Sequence, residues 1–242
     1  LFPRAICLQC KKKLPTKPLQ ERPMKIITVP LSVTEDQLVG GIDIERTIQE
    51  GKVVFEPGVL ARANANILYL DEVNLVPDHI MSIIATVAGS ATNHIERESI
   101  SYNHPSQFIL IGTMNEEEGL LRAHFADRFG LSVKVETKTD VANRMAILET
   151  ILKWDEAKKQ PYLLQAEWKD QQLREQIQQA QQNLSQVRIQ KSDQRFVATI
   201  CSELQIDGIR PDLVILRVAR ALAALHKRHE IIGEDILTAL PL

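Results

Sequence analysis

Short apolar runs broken by turn residues dominate the first half of the chain, and helical spacing takes over in the second. Asn66-Ile-Leu-Tyr-Leu70 is a brief apolar run that ends at Asp71-Glu72. A run of that length predicts a buried strand of a parallel sheet, with polar groups delivered at its C-terminal edge. Residues 78–89 read as a helix stopped by Gly89. Residues 92–107 alternate loosely through Ile95, Arg97, Ser99 and Ser101 and predict a hairpin. Phe108-Ile-Leu-Ile-Gly112 predicts a second buried strand, ending in Thr-Met-Asn, and Leu131-Ser-Val-Lys-Val-Glu136 a third. Residues 1–30 are rich in Lys and Pro and read as an irregular lead-in. Residues 31–62 mix short apolar runs with the turn signals Gly40-Gly41, Gly51 and Pro57-Gly58. Strands separated by helical stretches imply a layered α/β core.

From about residue 140 nearly everything reads as helix. Leu173, Ile177, Ala180, Leu184 and Val187 recur at spacings of four and three, one apolar stripe in a Gln-rich, solvated stretch. Phe196, Val197, Ile200, Cys201 and Leu204 form another. Pro211 suits the first turn of a helix running to Lys227, where its missing N–H is no loss. Gly233-Glu-Asp opens a last short helix. The organisation expected is an α/β core over 1–150, a helical linker over 151–190 and a small helical domain over 191–242.

Composition narrows the class. The 242 residues carry 29 Lys+Arg against 31 Asp+Glu, a net charge of −2. That balance argues against a broad electrostatic grip on nucleic acid or an anionic membrane. Three cysteines are no disulfide framework for this length, so a reducing, cytoplasmic setting is the expectation. No apolar run approaches the roughly 18 residues of a membrane span, and the first residues do not read as a signal peptide.

The chemistry concentrates in a few places. In ILYLDEVNLV, Asp71 stands where a strand would deliver it to the shell of a Mg²⁺ ion, and Glu72 where it would polarise an attacking water. The bland alternative is a strand that ends in two solvated acids. FILIGTMNEEEG places Asn115 after the next strand. Adjacent strand ends lie ~5 Å apart, so Asn115 would reach the same water or a γ-phosphate, or else simply cap a turn. Arg128, in LLRAHFADRFGL, holds a rim position from which an Arg reaches a neighbouring subunit's phosphate; a surface pair with Asp127 is the alternative. Arg210 begins a helix whose dipole adds to its attraction for phosphate, whereas Arg217 and Arg220 read as exposed or packing residues. Cys7 and Cys10 form a lone CxxC, and His226 and His229 a helical pair. Neither reaches the four ligands of a structural zinc site.

These residues, in this order, resemble an AAA+ ATPase. Specifically they resemble the ATPase motor, subunit I, of magnesium chelatase and its cobaltochelatase-like relatives. The similar stretches run over most of 29–136 and over DGIRPDLVILRVARALAAL at 206–225. The resemblance implies a three-layer αβα core with a parallel sheet, followed by an all-α lid. It implies two hairpin insertions, VGGIDIERTIQEGKVVFEPG and the segment from Asn93 to Gln107, facing a ring pore or a partner. It matches Asp71 and Glu72 to Walker B, Asn115 to sensor 1, Arg128 to the arginine finger and Arg210 to sensor 2. The cofactors implied are ATP and Mg²⁺. The partners implied are further copies in a hexameric ring, a von Willebrand-type D subunit and a large chelatase subunit, in chlorophyll or cobalamin synthesis.

One motif of that family is absent. The only Gly-Lys dipeptide is Gly51-Lys52, with Arg46 five residues before the Gly and Val53 after the Lys, so no G-x-x-x-x-G-K-[ST] phosphate loop occurs. With the other positions intact, the expectation is that a segment bearing this loop is missing from these 242 residues. The function expected is ATP hydrolysis that drives insertion of a divalent metal, Mg or Co, into a tetrapyrrole by a separate subunit. The alternatives are a MoxR-type chaperone that remodels a partner protein and a ring scaffold defective in nucleotide binding.

Overall fold

The structure, a computed structural model, describes residues 22–51, 54–97, 100–135, 140–156 and 161–240. The chain divides into two compact units, the first ending at Phe129 and the second beginning at Gly130.

The first unit runs β1 (Ile26–Val29), α1 (Glu35–Val39), β2 (Gly40–Ile42), α2 (Ile44–Glu50), β3 (Phe55–Pro57) and α3 (Val59–Ala63). It continues through β4 (Ile67–Leu70), α4 (Asp78–Ser90), β5 (Thr92–Arg97), β6 (Ile100–Pro105), β7 (Ile109–Gly112) and α5 (Ala123–Ala126). A three-stranded parallel sheet has the order β1-β4-β7, with Val29 opposite Leu70 and Leu70 opposite Gly112. β4 is central, and alternate residues divide its two faces. Leu68 and Leu70 are fully buried against Ile80, Met81 and Ile84 of α4 and Leu60 of α3. In the other alternation, Ile26, Ile109 and Ile111 remain exposed. The sheet is anchored at its lower end by Asn66. Its Oδ1 accepts from the Lys25 N–H, and its Nδ2 donates to the Arg62 and Asn64 carbonyls.

Both insertions are antiparallel hairpins. β2 pairs with β3 across an intervening helix, α2, and β5 pairs with β6. The first is seated by two glycines. A Cβ on Gly58 would stand 2.4 Å from the Gly40 nitrogen, and Gly40 itself has φ +100°, so neither position admits a side chain. The second is tied to the first by Asn93, whose Nδ2 donates to the Val39 carbonyl, and by Tyr102 stacked on Phe55.

Several boundaries differ from the sequence expectation. The lead-in contains a real strand, β1, too short to show periodicity. The helix predicted to stop at Gly89 runs on to Ser90, and Ala91 ends it in the left-handed region with its N–H on the Val87 carbonyl. Leu131–Val135 forms no strand, because no partner strand pairs with it among the described residues. Val133 and Val135 stand exposed.

The second unit is helical: α6 (Val141–Glu156), α7 (Pro161–Asn183), α8 (Lys191–Glu203), α9 (Arg210–Leu225) and α10 (Gly233–Ala239). Its core joins Val187, Val197, Cys201, Ile215 and Ile236, with Ala219 and Ala223 letting α9 approach its neighbours closely. The stripe expected from Leu173 to Val187 is interrupted. α7 stops at Asn183, a 3₁₀ turn covers Leu184–Gln186, and Leu173 and Ile177 are exposed while Val187 is buried. Arg220 fixes that turn by donating from Nε and Nη2 to the Leu184 carbonyl. Arg228 makes a two-pronged bond to the buried Asp235, at 2.7 and 2.6 Å. Among the described residues no helix is long and apolar enough to cross a membrane.

Candidate functional site

The parallel pairing of β4 and β7 continues past the strand ends. The Thr113 N–H donates to the Leu70 carbonyl at 3.0 Å, and the Val73 N–H to the Thr113 carbonyl at 2.8 Å. Asp71 and Glu72 therefore leave the sheet directly beside Thr113. The Thr113 hydroxyl donates to Asp71 Oδ1 at 2.6 Å and the Tyr69 hydroxyl at 3.2 Å. The two hydroxyls are themselves 3.3 Å apart. The Thr113 hydroxyl first, and the Tyr69 hydroxyl second, hold the Asp71 carboxyl below the ordinary aspartate value. These donors favour the charged form without neutralising it, and Asp71 is exposed. The result is an oriented, ionised carboxylate open to solution.

Glu72 follows in the left-handed region, at φ 52° and ψ 52°, and starts a 3₁₀ turn over Val73–Leu75. A non-glycine residue in that region is strained, and such strain gathers at sites held in place by their surroundings. The turn breaks the strand alternation, so Glu72 is not simply the next residue on the opposite face of the sheet.

Asn115 caps the 3₁₀ turn Glu116–Glu118, its Oδ1 accepting from the Glu117 N–H at 3.2 Å. That is the bland role anticipated for it, yet its loop is also bonded to the loop of Glu72. Asn74 Nδ2 donates to the Gly119 carbonyl at 3.1 Å and to the Asn115 carbonyl at 3.4 Å. Arg128 lies just after α5. The Arg128 N–H bonds the Phe125 carbonyl, and the buried Phe125 anchors the segment. The Phe129 ring packs within 3.2 Å of where a Gly112 Cβ would stand, at the end of β7. The exposed Arg128 guanidinium reaches Gly89, in the last turn of α4, where the helix dipole favours a cation. Arg210, in the second unit, is exposed and is the first residue of α9.

Asp71, Glu72 and Asn115 are thus brought to one sheet edge by two adjacent strands. Three contributors were not foreseen: Thr113, Tyr69 and Asn74. A groove of about 1190 Å³ lies elsewhere, between the two hairpins, lined by residues such as Ile42, Phe55 and Tyr102. Neither Asp71 nor Asn115 contributes to its wall. No group of three or more His, Cys, Asp or Glu residues that could hold a metal occurs among the described residues. Cys7, Cys10 and Lys52 lie outside the described residues.

Comparison with known proteins identifies the family. Residues 13–129 match the AAA domain of the dynein-related subfamily, and residues 194–242 match the AAA lid domain. The chain belongs to the AAA+ ATPase family. Within that family it is 45% identical over 219 residues to the magnesium-chelatase subunit ChlI of Mesostigma viride, covering 90% of this chain and 61% of that protein. It is 40% identical over 237 residues to a ChlI homolog of Methanocaldococcus jannaschii, covering 98% and 64%. With the chloroplastic ChlI-2 of Arabidopsis thaliana it shares 43% identity, covering 91% and 53%. The chain therefore spans between 53% and 64% of the length of these relatives. A solved complex of subunits BchI and BchD of magnesium chelatase contains a chain 42% identical, covering 91% of this chain and 68% of that one, with a TM-score of 0.47.

Proposed function

We propose that this chain is the greater part of an ATP-hydrolysing motor subunit that drives insertion of magnesium into a tetrapyrrole by a separate catalytic subunit. The observation that carries the reading is the hydroxyl-held Asp71 carboxylate at the end of the central strand, with Glu72 directly after it.

The donor set suits a nucleotide-bound Mg²⁺. One ionised, solvent-facing carboxylate matches an ion that keeps most of its waters and takes the rest of its shell from phosphates. Asp71 would hold that shell. When bound with ATP, Mg²⁺ supplies charge neutralisation between the phosphate oxygens. Glu72 takes the proton of the attacking water, and Asn115 holds that water or the terminal phosphate in line. Arg128 serves the neighbouring subunit's nucleotide, so that hydrolysis in one subunit depends on its neighbour's position, and Arg210 contributes from the lid. The partners in this reading are copies of the same chain in a hexameric ring, a von Willebrand-type D subunit and a large chelatase subunit. The names of the relatives, magnesium-chelatase subunits, support magnesium rather than cobalt as the metal inserted.

The test uses the full-length protein. Glu72→Gln is expected to retain ATP binding and lose hydrolysis by roughly 10²–10⁴-fold, the span of a general base. Arg128→Ala alone is expected to be inactive. Mixed with Glu72→Gln it should regain activity, because one hybrid interface then pairs an intact Glu72 with an intact Arg128. Hydrolysis at the wild-type rate in Glu72→Gln, or no rescue in the mixture, overturns the assignments.

A further inference from the structure

Asn74 is the middle residue of the 3₁₀ turn that follows Glu72. Its Nδ2 reaches the carbonyls of Gly119 and Asn115, which bracket the turn Glu116–Glu118. One amide therefore crosses from the loop of Glu72 and closes both ends of the loop that carries Asn115. Its other end is left unserved: Asn74 Oδ1 is buried and finds no hydrogen-bond partner among the described residues. Exchanging the two ends of the amide would set Oδ1 against two carbonyl oxygens, so the acceptors decide its orientation.

A side chain selected for stability alone would not leave a buried acceptor unpaired. Leucine has nearly the same shape and carries no such group. The carbonyls that Nδ2 engages belong to exposed residues, Asn115 and Gly119, which water would serve as well. The bonds contribute little that folding needs. What they do provide is a fixed spacing between the two loops. A hollow of about 360 Å³, lined by Val73, Asn74, Asp78, Leu121, Arg122 and Phe125, opens beside the amide.

We propose that Asn74 is a positioning residue, holding Asn115 in register with Glu72 for hydrolysis. The inference rests on the reading of Glu72 and Asn115 given under Proposed function. Displacing a catalytic group by about 1 Å costs on the order of 10²-fold in rate. The Asn74 amide bonds to neither Asp71 nor its two hydroxyl partners, so nucleotide and metal binding are expected to stay as they are.

The experiment compares Asn74→Leu, Asn115→Ala and the double variant in the full-length protein, with Asn74→Asp as the second variant should Leu disturb folding. Expected for Asn74→Leu are a kcat at least tenfold lower, an unchanged KM for ATP and a thermal midpoint equal or higher. In the double variant the Leu substitution adds no further loss to that of Asn115→Ala. Amide exchange at Glu118 and Gly119, whose N–H groups bond within the clamped loop, becomes faster. Unchanged exchange at those two amides, or additive losses of kcat in the double variant, overturns the proposal. Should the wild-type protein hydrolyse no ATP, the hydrolytic reading fails and the positioning role fails with it. Amide exchange then reports whether Asn74 clamps the loop for some other use.

Discussion

Asp71 in the first unit and Asp235 in the second both ionise more readily than a free carboxyl, and their surroundings differ in kind. Asp235 is buried, and burial opposes its charge. The Arg228 fork, the Ile232 N–H and the charges of Arg228 and His226 outweigh that opposition. Asp71 is exposed, and two neutral hydroxyls suffice. The buried carboxylate has its charge consumed by a cation of the fold. The exposed one has its geometry set and its charge left over. A carboxylate held ionised without a cationic partner is what a site for a cation requires, so the same direction of shift accompanies a structural pair in one unit and, in the proposed reading, chemistry in the other.

The largest effect is expected from breaking the buried pair. Arg228→Ala leaves Asp235 charged and 3% exposed. Losing one partner of a buried pair costs roughly 3–5 kcal/mol, and the lower end, about 3, applies because Arg228 is itself 30% exposed. Urea unfolding of the second unit measures it, and a loss below about 1 kcal/mol would mean that the pair is solvated. Replacing both partners together, with Met at 228 and Leu at 235, should recover most of the loss. The pH dependence has a definite sign. The folded-state carboxyl of Asp235 titrates lower than in the unfolded chain, so its contribution is complete above the unfolded value of about 3.9. It is lost as pH falls from there through the folded value. Arg228 is shifted upward and stays charged throughout that window.

The two aspartates were unequally legible in the sequence. Asp71 is placed at a strand end by the four apolar residues before it, although the same pattern also fits a strand that ends in two solvated acids. Asp235 shows only as one acid in the first turn of a short helix. Its partner Arg228 is seven residues away, past a bend that no periodicity describes. Thr113 and Tyr69 were invisible for a related reason. Thr113 reaches Asp71 from 42 residues away, in the register that sets Leu70 opposite Gly112, and Tyr69, two residues before Asp71, joins the network through Thr113, 44 residues on. Asn115 could be placed at a strand end but not tied to its neighbour, since the tie runs through Asn74. The alternation at Leu131–Glu136 shows the converse. A strand pattern makes a strand only where another strand pairs with it, and the described residues supply none.

The intermediate effect comes from Thr113→Val, which keeps the side chain's shape and removes the donor at 2.6 Å. The Asp71 carboxyl is expected to titrate closer to an ordinary aspartate, moving up in pH, as followed by carbon-detected NMR across pH 2–6. The thermal midpoint should stay where it is, because Thr113 and Asp71 are both exposed. That outcome sharpens the contrast with Arg228→Ala: one substitution moves stability, the other moves a titration. A fall in stability with no change in the titration would place Thr113 with the structural group and remove the distinction between the two aspartates.

The smallest effect is expected from Tyr69→Phe. The Tyr69 hydroxyl stands 3.2 Å from Asp71 and 3.3 Å from Thr113, so its donation is divided between two acceptors. Its loss alone should raise the Asp71 titration by less than Thr113→Val does. The two substitutions should not add, because they share a network. With Thr113 reduced to Val, the tyrosine hydroxyl loses its competing acceptor and turns wholly to Asp71, which masks part of the damage. The double variant removes that reserve. Its shift should therefore exceed the sum of the single shifts, and a simple sum would mean that the two hydroxyls act on Asp71 independently rather than as one device.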